Sequence, residues 1–278
     1  MLTVRFWGVR GSIPSPGPNT VVYGGNTSCL EIRAGERLLI IDLGSGAHPF
    51  GEWLIENEIK KYGRLKTDIF LTHTHWDHVM GFPMFTPVYK EGTELCITGS
   101  ASIENCDLRS IIENQLASQY WPVQADHLAA VIKYNQIKET TLDMGGDLFV
   151  TSKYLNHPSL CLGYRIAFKG KSIVTVYDHE PFSSGEENEK IRQFIKGADI
   201  VIHDAQYTPE EYANHKGWGH CSYDHAIKAA EGIGIKRLVL FHHEPLRKDN
   251  ELEQIEKSYA NRIDPNIIMA REGLTLSA

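Results

Sequence analysis

Short apolar segments separated by polar turns run along the whole chain, and several of them end in histidine or aspartate. The pattern predicts β-strands at residues 3–7, 29–33, 37–42, 68–71, 147–154, 162–168, 172–177, 199–204, 236–241 and 266–270. Helical periodicity predicts helices at residues 50–61, 102–119, 187–196, 223–231 and 251–261. Because no linker-like or low-complexity stretch divides the chain, we predict one domain over residues 1–278.

The strongest chemical signal lies at residues 73–78, directly after the apolar segment 68–71. It places four strong metal ligands within six positions, namely His73, His75, Asp77 and His78. Imidazole nitrogen and carboxylate oxygen together suit zinc, manganese or iron. Because the motif contains no thiolate, it indicates a catalytic rather than a structural metal site.

Further candidate ligands follow other apolar segments. They are His157, Asp178, the pair His203 and Asp204, and His242. Ligands at strand ends from both halves of the chain can surround a site for two metal ions. Asp42 also ends an apolar segment; we expect it to orient a ligand histidine, and the alternative is that it caps the following helix. The loop at residues 8–18 is either a wide turn or a rim loop whose backbone N–H groups and Arg10 approach a bound anion.

Composition and charge narrow the class of protein only coarsely. Hydrophobic residues make up 42% of the chain and charged residues 23%, as in an ordinary globular protein with a full core. The formal net charge of −7 gives no general attraction to nucleic acid or to an anionic membrane. The five cysteines are scattered without a Cys-x-x-Cys pair, and residues 1–7 lack the pattern of an export signal. We therefore predict a cytoplasmic protein.

The histidine motif and the ligands that follow it resemble the metallo-β-lactamase superfamily, in the order in which its motifs occur. Residues 39–42, Leu-Ile-Ile-Asp, are similar to its first motif, and the resemblance extends from about residue 37 to residue 243. It implies an α/β fold of the αββα sandwich type, in which two mixed β-sheets are flanked by helices. It does not imply a particular substrate, because the superfamily includes hydrolases of very different bonds.

The resemblance also implies a ligand set for two divalent metal ions. It assigns His73, His75 and His157 to one ion, and Asp77, His78 and His242 to the other. Asp178 would bridge the two ions, and His243 is an alternative to His242. We expect zinc ions, with manganese as the alternative.

A second pair of motifs narrows the expected chemistry. Residues 201–207 and 219–222 resemble the paired motifs of the phosphodiesterase branch, which includes cyclic phosphodiesterases and tRNA 3′-end processing enzymes. The matching acid and histidine are Asp204 and His220. The tRNA processing enzymes usually have Glu at the position of Asp204, and they carry a long arm between the motifs that match His157 and Asp178, where this chain has 20 residues. Thiolester and lactone hydrolases usually carry Gly-His-x-x-Gly-His where this chain has Asn-His-Pro-Ser.

We therefore predict a hydrolase that cleaves a small phosphodiester, such as a cyclic nucleotide or a cyclic ribose phosphate, with a hydroxide shared by two metal ions. The predicted catalytic residues are Asp77, Asp204 and His220. His220, as an imidazolium held by Asp204, would protonate the leaving alkoxide. Lactone or thiolester hydrolysis, tRNA 3′-end cleavage and a metal-loaded sensor without turnover are the alternatives.

The predicted partner is a small-molecule phosphodiester, and we expect neither a membrane nor a nucleic acid as a partner. Residues 102–137 have the weakest strand pattern of the chain. We expect this segment to form a cap over the site or the contact surface of a homodimer.

Overall fold

Fourteen β-strands form two seven-stranded sheets in the computed structural model, which describes residues 1–100, 107–261 and 265–278. The first sheet contains β1 (Leu2–Gly8), β2 (Cys29–Ala34), β3 (Arg37–Ile41), β4 (Leu65–Phe70), β5 (Thr93–Ser100) and β6 (Val131–Ile137). The second contains β7 (Thr141–Gly145), β8 (Leu148–Tyr154), β9 (Leu162–Phe168), β10 (Lys171–Val176), β11 (Ile200–Asp204), β12 (Arg237–Phe241) and β13 (Asn266–Met269). The last strand, β14 (Thr275–Ser277), returns to the first sheet and pairs with β1.

Each sheet combines antiparallel and parallel pairing. The strand orders are β14-β1-β2-β3-β4-β5-β6 and β13-β12-β11-β10-β9-β8-β7. Strands β3 to β6 are parallel to one another, and so are strands β10 to β13. Parallel neighbours end at the same edge of a sheet, so the segments that follow β3, β4, β10, β11 and β12 can meet at one rim.

Helices cover the outer face of each sheet. The α-helices of the described residues are α1 (Ala47–Leu54), α2 (Lys60–Tyr62), α3 (Trp76–Val79), α4 (Leu108–Glu113), α5 (Gly185–Ile195), α6 (Pro209–Tyr212), α7 (Tyr223–Ala230) and α8 (Asp249–Tyr259), and a π-helical segment, Ile55–Ile59, joins α1 to α2. Helices α1 and α4 pack on the first sheet, and α5, α7 and α8 pack on the second. The αββα sandwich with two mixed sheets is therefore confirmed.

The main core lies between the two sheets, and its aromatic residues support the rim. Tyr177 stacks on Phe241 with ring centroids 4.5 Å apart, directly before Asp178 and His242. The hydroxyl of buried Tyr164 donates to the backbone carbonyl of Leu71 at 2.7 Å, close to the start of the histidine motif. The candidate ligands thus extend from rigid, fully packed strand ends.

Several strand and helix predictions are confirmed, and the largest difference concerns residues 93–145. The hairpin of β9 and β10 occurs as predicted, whereas β5, β6 and β7 were not predicted. Of the predicted helix 102–119, residues 102–106 lie outside the described residues, and α4 with a short 3-10 turn forms part of the remainder. Strand β6 occupies the end of the segment 102–137 and pairs with β5. None of the helices in the described ranges combines the length and the apolar character needed to cross a membrane.

Candidate metal and catalytic centre

Nine side chains of the rim converge on one cleft between the two sheets. They are His73, His75, Asp77, His78, His157, Asp178, Asp204, His220 and His242. The histidine motif follows β4, and α3 turns Asp77 and His78 inward, whereas Asp178 and His242 follow β10 and β12. Asp178 and His242 adopt left-handed backbone conformations, with φ of 44° and 62°. Such conformations are uncommon for residues other than glycine. Here they turn the backbone sharply at the two strand ends, so that each side chain enters the cleft.

One group of ligand atoms surrounds the Oδ2 atom of Asp178. His73 Nε2 lies 3.5 Å from this oxygen and His157 Nε2 lies 3.8 Å from it. His75 joins the group through its Nδ1 atom, which is 3.1 Å from His157 Nε2. Three imidazoles and one carboxylate oxygen are thus placed around a single point, with all ligand atoms within 4.8 Å of one another.

A second group surrounds the other oxygen of the same carboxylate. His78 Nε2 and His242 Nε2 each lie 3.3 Å from Asp178 Oδ1. Asp77 Oδ2 completes the group, at 3.2 Å from His78 Nε2 and 3.1 Å from His242 Nε2. Burial would raise the pKa of Asp77, but the neighbouring His78 and His242 lower it well below its usual range, so the carboxylate is ionised. Asp178 therefore faces both groups with one oxygen each, which is the geometry of a bridging ligand.

Several atoms of these groups lack a protein partner and are suited to bind divalent cations. His73 Nε2, His78 Nε2 and Asp178 Oδ1 are buried and have no hydrogen-bond partner among the described residues. A buried polar atom without a partner costs free energy, which a bound cation would offset. Burial also lowers the pKa of His73 and of His157, so both rings are neutral and able to donate a lone pair. The donor set of imidazoles and carboxylates suits zinc, manganese or iron.

The far sides of three candidate ligand rings, those of His78, His157 and His242, contact a second residue. Asp42 accepts hydrogen bonds from His78 Nδ1 at 2.7 Å and from the backbone N–H of Thr72 at 2.7 Å. His157 Nδ1 donates to the Gly219 carbonyl at 3.0 Å. His242 Nδ1 lies 3.1 Å from Gln206 Oε1. These contacts direct the Nε2 atoms toward the centre. Asp42 thus contacts a candidate ligand histidine, as its predicted orienting role requires, and α1 begins after Gly46 without a side-chain cap.

We expect Asp42→Asn to weaken metal binding by about 10- to 100-fold, because the amide removes the charge that orients His78 and makes it a better donor. Competition with a chromogenic chelator measures this affinity. Asp68→Asn is the matched control, since Asp68 lies on the same sheet but pairs with Arg37 at the surface. Equal metal affinity in both variants would contradict the role of Asp42.

Two glycines let the backbone rest directly against ligand rings. A Cβ atom on Gly11 would lie 2.3 Å from His242 Nδ1, and one on Gly219 would lie 2.2 Å from His157 Nδ1. The loop of Gly11 also brings the backbone N–H of Ser12 to Asp77 Oδ2 at 2.7 Å. Residues 8–18 therefore form a rim loop, but Arg10 does not reach the cleft: it is fully buried and donates to the carbonyls of Gly24 and Arg247, each at 2.7 Å.

His220 and Asp204 form a pair beside the two ligand groups. His220 Nδ1 donates to Asp204 Oδ2 at 2.7 Å, and its Nε2 lies 4.0 Å from Asp178 Oδ2. Burial disfavours the imidazolium, but the Asp204 carboxylate outweighs this effect and raises the pKa of His220 to about 9. In the metal-free protein the imidazolium is therefore the favoured form, and its Nε2–H faces Asp178 at the centre. These two residues, with Asp178 and His242, are also close enough to form a third group of ligand atoms.

The remaining histidines of the rim point elsewhere. His243, the alternative to His242, donates from Nε2 to the Ala270 carbonyl at 2.8 Å and lies outside the cluster. His203 lies on the other face of β11, where it lines a cavity of about 250 Å³ together with His179 and His225. The sequence prediction missed the contacts of Ser12, Gln206 and Gly219. All three residues lie within motifs that the prediction quoted, but no pattern indicated which ligand each would contact.

Two mixed sheets between helices, with a cluster of histidines and aspartates at their rim, define the metallo-β-lactamase fold. The chain belongs to the beta-lactamase superfamily, since the sequence model of the beta-lactamase superfamily domain matches residues 64–243.

Curated relatives and solved structures agree with this assignment. Ribonuclease Z of Lactococcus lactis subsp. lactis is 23% identical over 291 residues, which covers 87% of this chain and 88% of the relative. The metallo-beta-lactamase fold protein YhfI of Bacillus subtilis superimposes with a TM-score of 0.72, at 19% identity and 100% coverage of both chains. The short form of human tRNase Z gives a TM-score of 0.67 at 20% identity, covering 99% of this chain and 98% of that one. A diphosphatase of the PhnP family gives a TM-score of 0.68 at 16% identity, covering 100% of this chain and 98% of that one.

Proposed function

We propose that the protein is a metal-dependent phosphodiesterase. The observation that carries this proposal is the His220–Asp204 pair, which presents a protonated imidazole beside the two groups of metal ligands. Cleavage of a phosphodiester releases an alkoxide, which requires a proton from a group in this position. A metal-binding sensor without turnover has no need of such a donor.

The proposed roles follow from the contacts of each side chain. Two divalent cations at the centre would increase the acidity of a water molecule and neutralise charge on the phosphoryl oxygens. His220 donates the proton on Nε2 to the leaving oxygen, while Asp204 accepts from Nδ1–H and keeps the ring in this orientation. Asp77 is held by the Ser12 N–H, so its carboxylate remains a fixed ligand. His73, His75, His78, His157, Asp178 and His242 complete the proposed ligand set.

We propose a small phosphodiester as the substrate, because the protein lacks a segment to grip a large RNA where the resemblance would place one. The fully described stretch between His157 and Asp178 is filled by the hairpin of β9 and β10, whose strands pair from residue 164 to residue 175 within the second sheet. The net charge of −7 gives no general attraction to a polyanion. The second candidate is a tRNA 3′-end endonuclease, and the names of the curated relatives favour it over a small substrate.

Turnover of a substrate panel tests the proposal. The purified protein is loaded with zinc or manganese and assayed, with and without chelator, on bis(p-nitrophenyl) phosphate, cyclic nucleotides, a lactone, a thiolester and a precursor tRNA. We expect chelator-sensitive cleavage of phosphodiesters and no cleavage of the carbon esters. Cleavage of the precursor tRNA at its 3′ end, with small diesters inert, would establish the second candidate. Ester cleavage with inert phosphodiesters would overturn both.

The pH profile reports on the His220–Asp204 pair. A general acid must be protonated, so activity falls as the pH rises through its pKa. Asp204→Asn removes the charge that raises the pKa of His220. We therefore expect the alkaline limb of kcat/KM to move down by about 1–3 pH units. An unchanged alkaline limb would mean that another group supplies the proton.

A further inference from the structure

Two exposed tryptophans flank the candidate centre. Trp76 lies between His75 and Asp77 in the sequence and is 77% exposed, and Trp218 lies two residues before His220 and is 62% exposed. Single exposed hydrophobic side chains are common on protein surfaces. Two exposed indoles within two residues of one centre are a more specific observation, because Trp has the largest aromatic face of any side chain and leaving it in water is unfavourable.

Trp76 stands at the mouth of the cleft. It is the first residue of α3, whose next two side chains, Asp77 and His78, turn into the ligand cluster. The indole lines the same cleft as Ser12, Asp178 and His220. The ring is therefore within reach of a substrate whose phosphorus lies at the centre.

Trp218 is fixed on the side of the general acid. The backbone N–H groups of Gly217 and Gly219 donate to the buried Glu180 carboxylate at 2.9 Å and 3.0 Å, so both neighbours of Trp218 are held. The indole meets the ring of His215 edge-on at 4.9 Å, His215 stacks on Tyr207 at 4.5 Å, and Tyr207 contacts the ring of His220 edge-on at 6.2 Å. A row of rings thus connects the exposed indole to His220 through His215 and Tyr207 and holds the indole on the same side of the centre.

We propose that Trp76 and Trp218 are stacking platforms for two nucleobases, one on each side of the scissile phosphodiester. The inference rests on the proposed phosphodiesterase function and narrows its substrate class to a dinucleotide, linear or cyclic, in place of a cyclic mononucleotide. Base stacking on aromatic rings is tolerant of sequence and does not depend on positive charge, which suits a chain of net charge −7. Because His220 protonates the leaving oxygen, Trp218 contacts the half of the substrate that leaves, and Trp76 contacts the half that keeps the phosphate.

Dithymidine monophosphate and two analogues, each lacking one base, test the assignment. The product without phosphate identifies the leaving half. We expect Trp218→Ala to raise KM about 5- to 150-fold for the full dinucleotide, with little change in kcat, and to leave KM unchanged for the analogue without a base on the leaving half. Trp76→Ala is expected to raise KM for the full dinucleotide and to leave KM unchanged for the analogue without a base on the half that keeps the phosphate. The Trp→Phe variants keep a stacking face and should restore most of the affinity. Tyr62→Ala is the matched control, because Tyr62 is 60% exposed at the far end of α2.

Binding is also measured without turnover, from the quenching of indole fluorescence by a dinucleotide with a methylphosphonate linkage. Loss of part of this quenching in each Trp→Ala variant supports the platforms even if the linkage is never cut. Equal effects of a variant on all three dinucleotides, or a change in its oligomeric state, would overturn the inference, as would cleavage of cyclic mononucleotides alone. If wild-type protein cleaves no phosphodiester, the proposed function fails, and the quenching experiment still decides the role of the two indoles.

Discussion

Replacement of His220 by alanine is expected to lower kcat for alkyl phosphodiesters by about 10²- to 10⁴-fold while both metal ions remain bound. The hydrogen bond to Asp204 raises the pKa of His220 and makes it a proton donor, and its Nε2 lies farther from Asp178 Oδ2 than the Nε2 atoms of His73 and His157 do. The defect should shrink for bis(p-nitrophenyl) phosphate, because p-nitrophenolate leaves without the help of an acid. Steady-state kinetics on the two substrate types and metal analysis of the purified variant measure both effects.

The same experiment separates two roles that the geometry allows for His220. Asp178, Asp204, His220 and His242 could form a third cation site, in which case His220→Ala would release metal along with activity. His225→Ala is the control, because His225 is half-buried on α7 and outside the ligand cluster. Full turnover in a metal-loaded His220→Ala enzyme would remove the general-acid role.

The second large effect is expected at Asp178, whose two oxygens face different groups of ligands. Asp178→Ala deletes an atom from both groups at once, so we expect the metal content to fall below one ion per chain. Turnover should fall by more than about 10³-fold, which corresponds to the several kcal/mol that bound metal ions contribute to the transition state. Elemental analysis after gel filtration, together with the panel assay, measures this outcome.

A buried aspartate outside the centre provides the matched control for Asp178. Asp199 directly precedes β11 and accepts hydrogen bonds from Lys236 and from the Ser172 backbone N–H. Asp199→Ala is expected to lower the melting temperature but to retain both metal ions. If the two variants lose metal equally, general destabilisation explains the result and the bridging role is wrong.

The ligand positions could be predicted from the sequence because most of them belong to compact motifs at the ends of apolar segments. The contacts that orient these ligands could not, since they join residues far apart in the chain. Ser12 meets Asp77 across 65 positions, and Gln206 meets His242 across 36. The choice between His242 and His243 depends on the left-handed turn after β12, which no local pattern reveals.

The fold was predictable to a similar degree. The buried strands β3, β4, β11 and β12 gave clear apolar segments, and the superfamily resemblance supplied their arrangement. Strands β6 and β7 lie at the edges of the two sheets and expose alternate residues, so their sequences are too polar to stand out as strands. They were missed because what makes them strands is pairing with β5 and β8, which is a property of the folded protein.

The left-handed backbone at Asp178 and His242 restricts which donor atoms these two positions can offer to a metal ion. Aspartate, asparagine and histidine adopt that conformation more readily than other residues with a side chain, cysteine included. Replacement of either residue by cysteine would destabilise the folded protein through the strained backbone, whether or not a cation binds. At these two positions the path of the chain therefore favours oxygen and nitrogen donors over sulfur, which suits zinc or manganese better than copper(I).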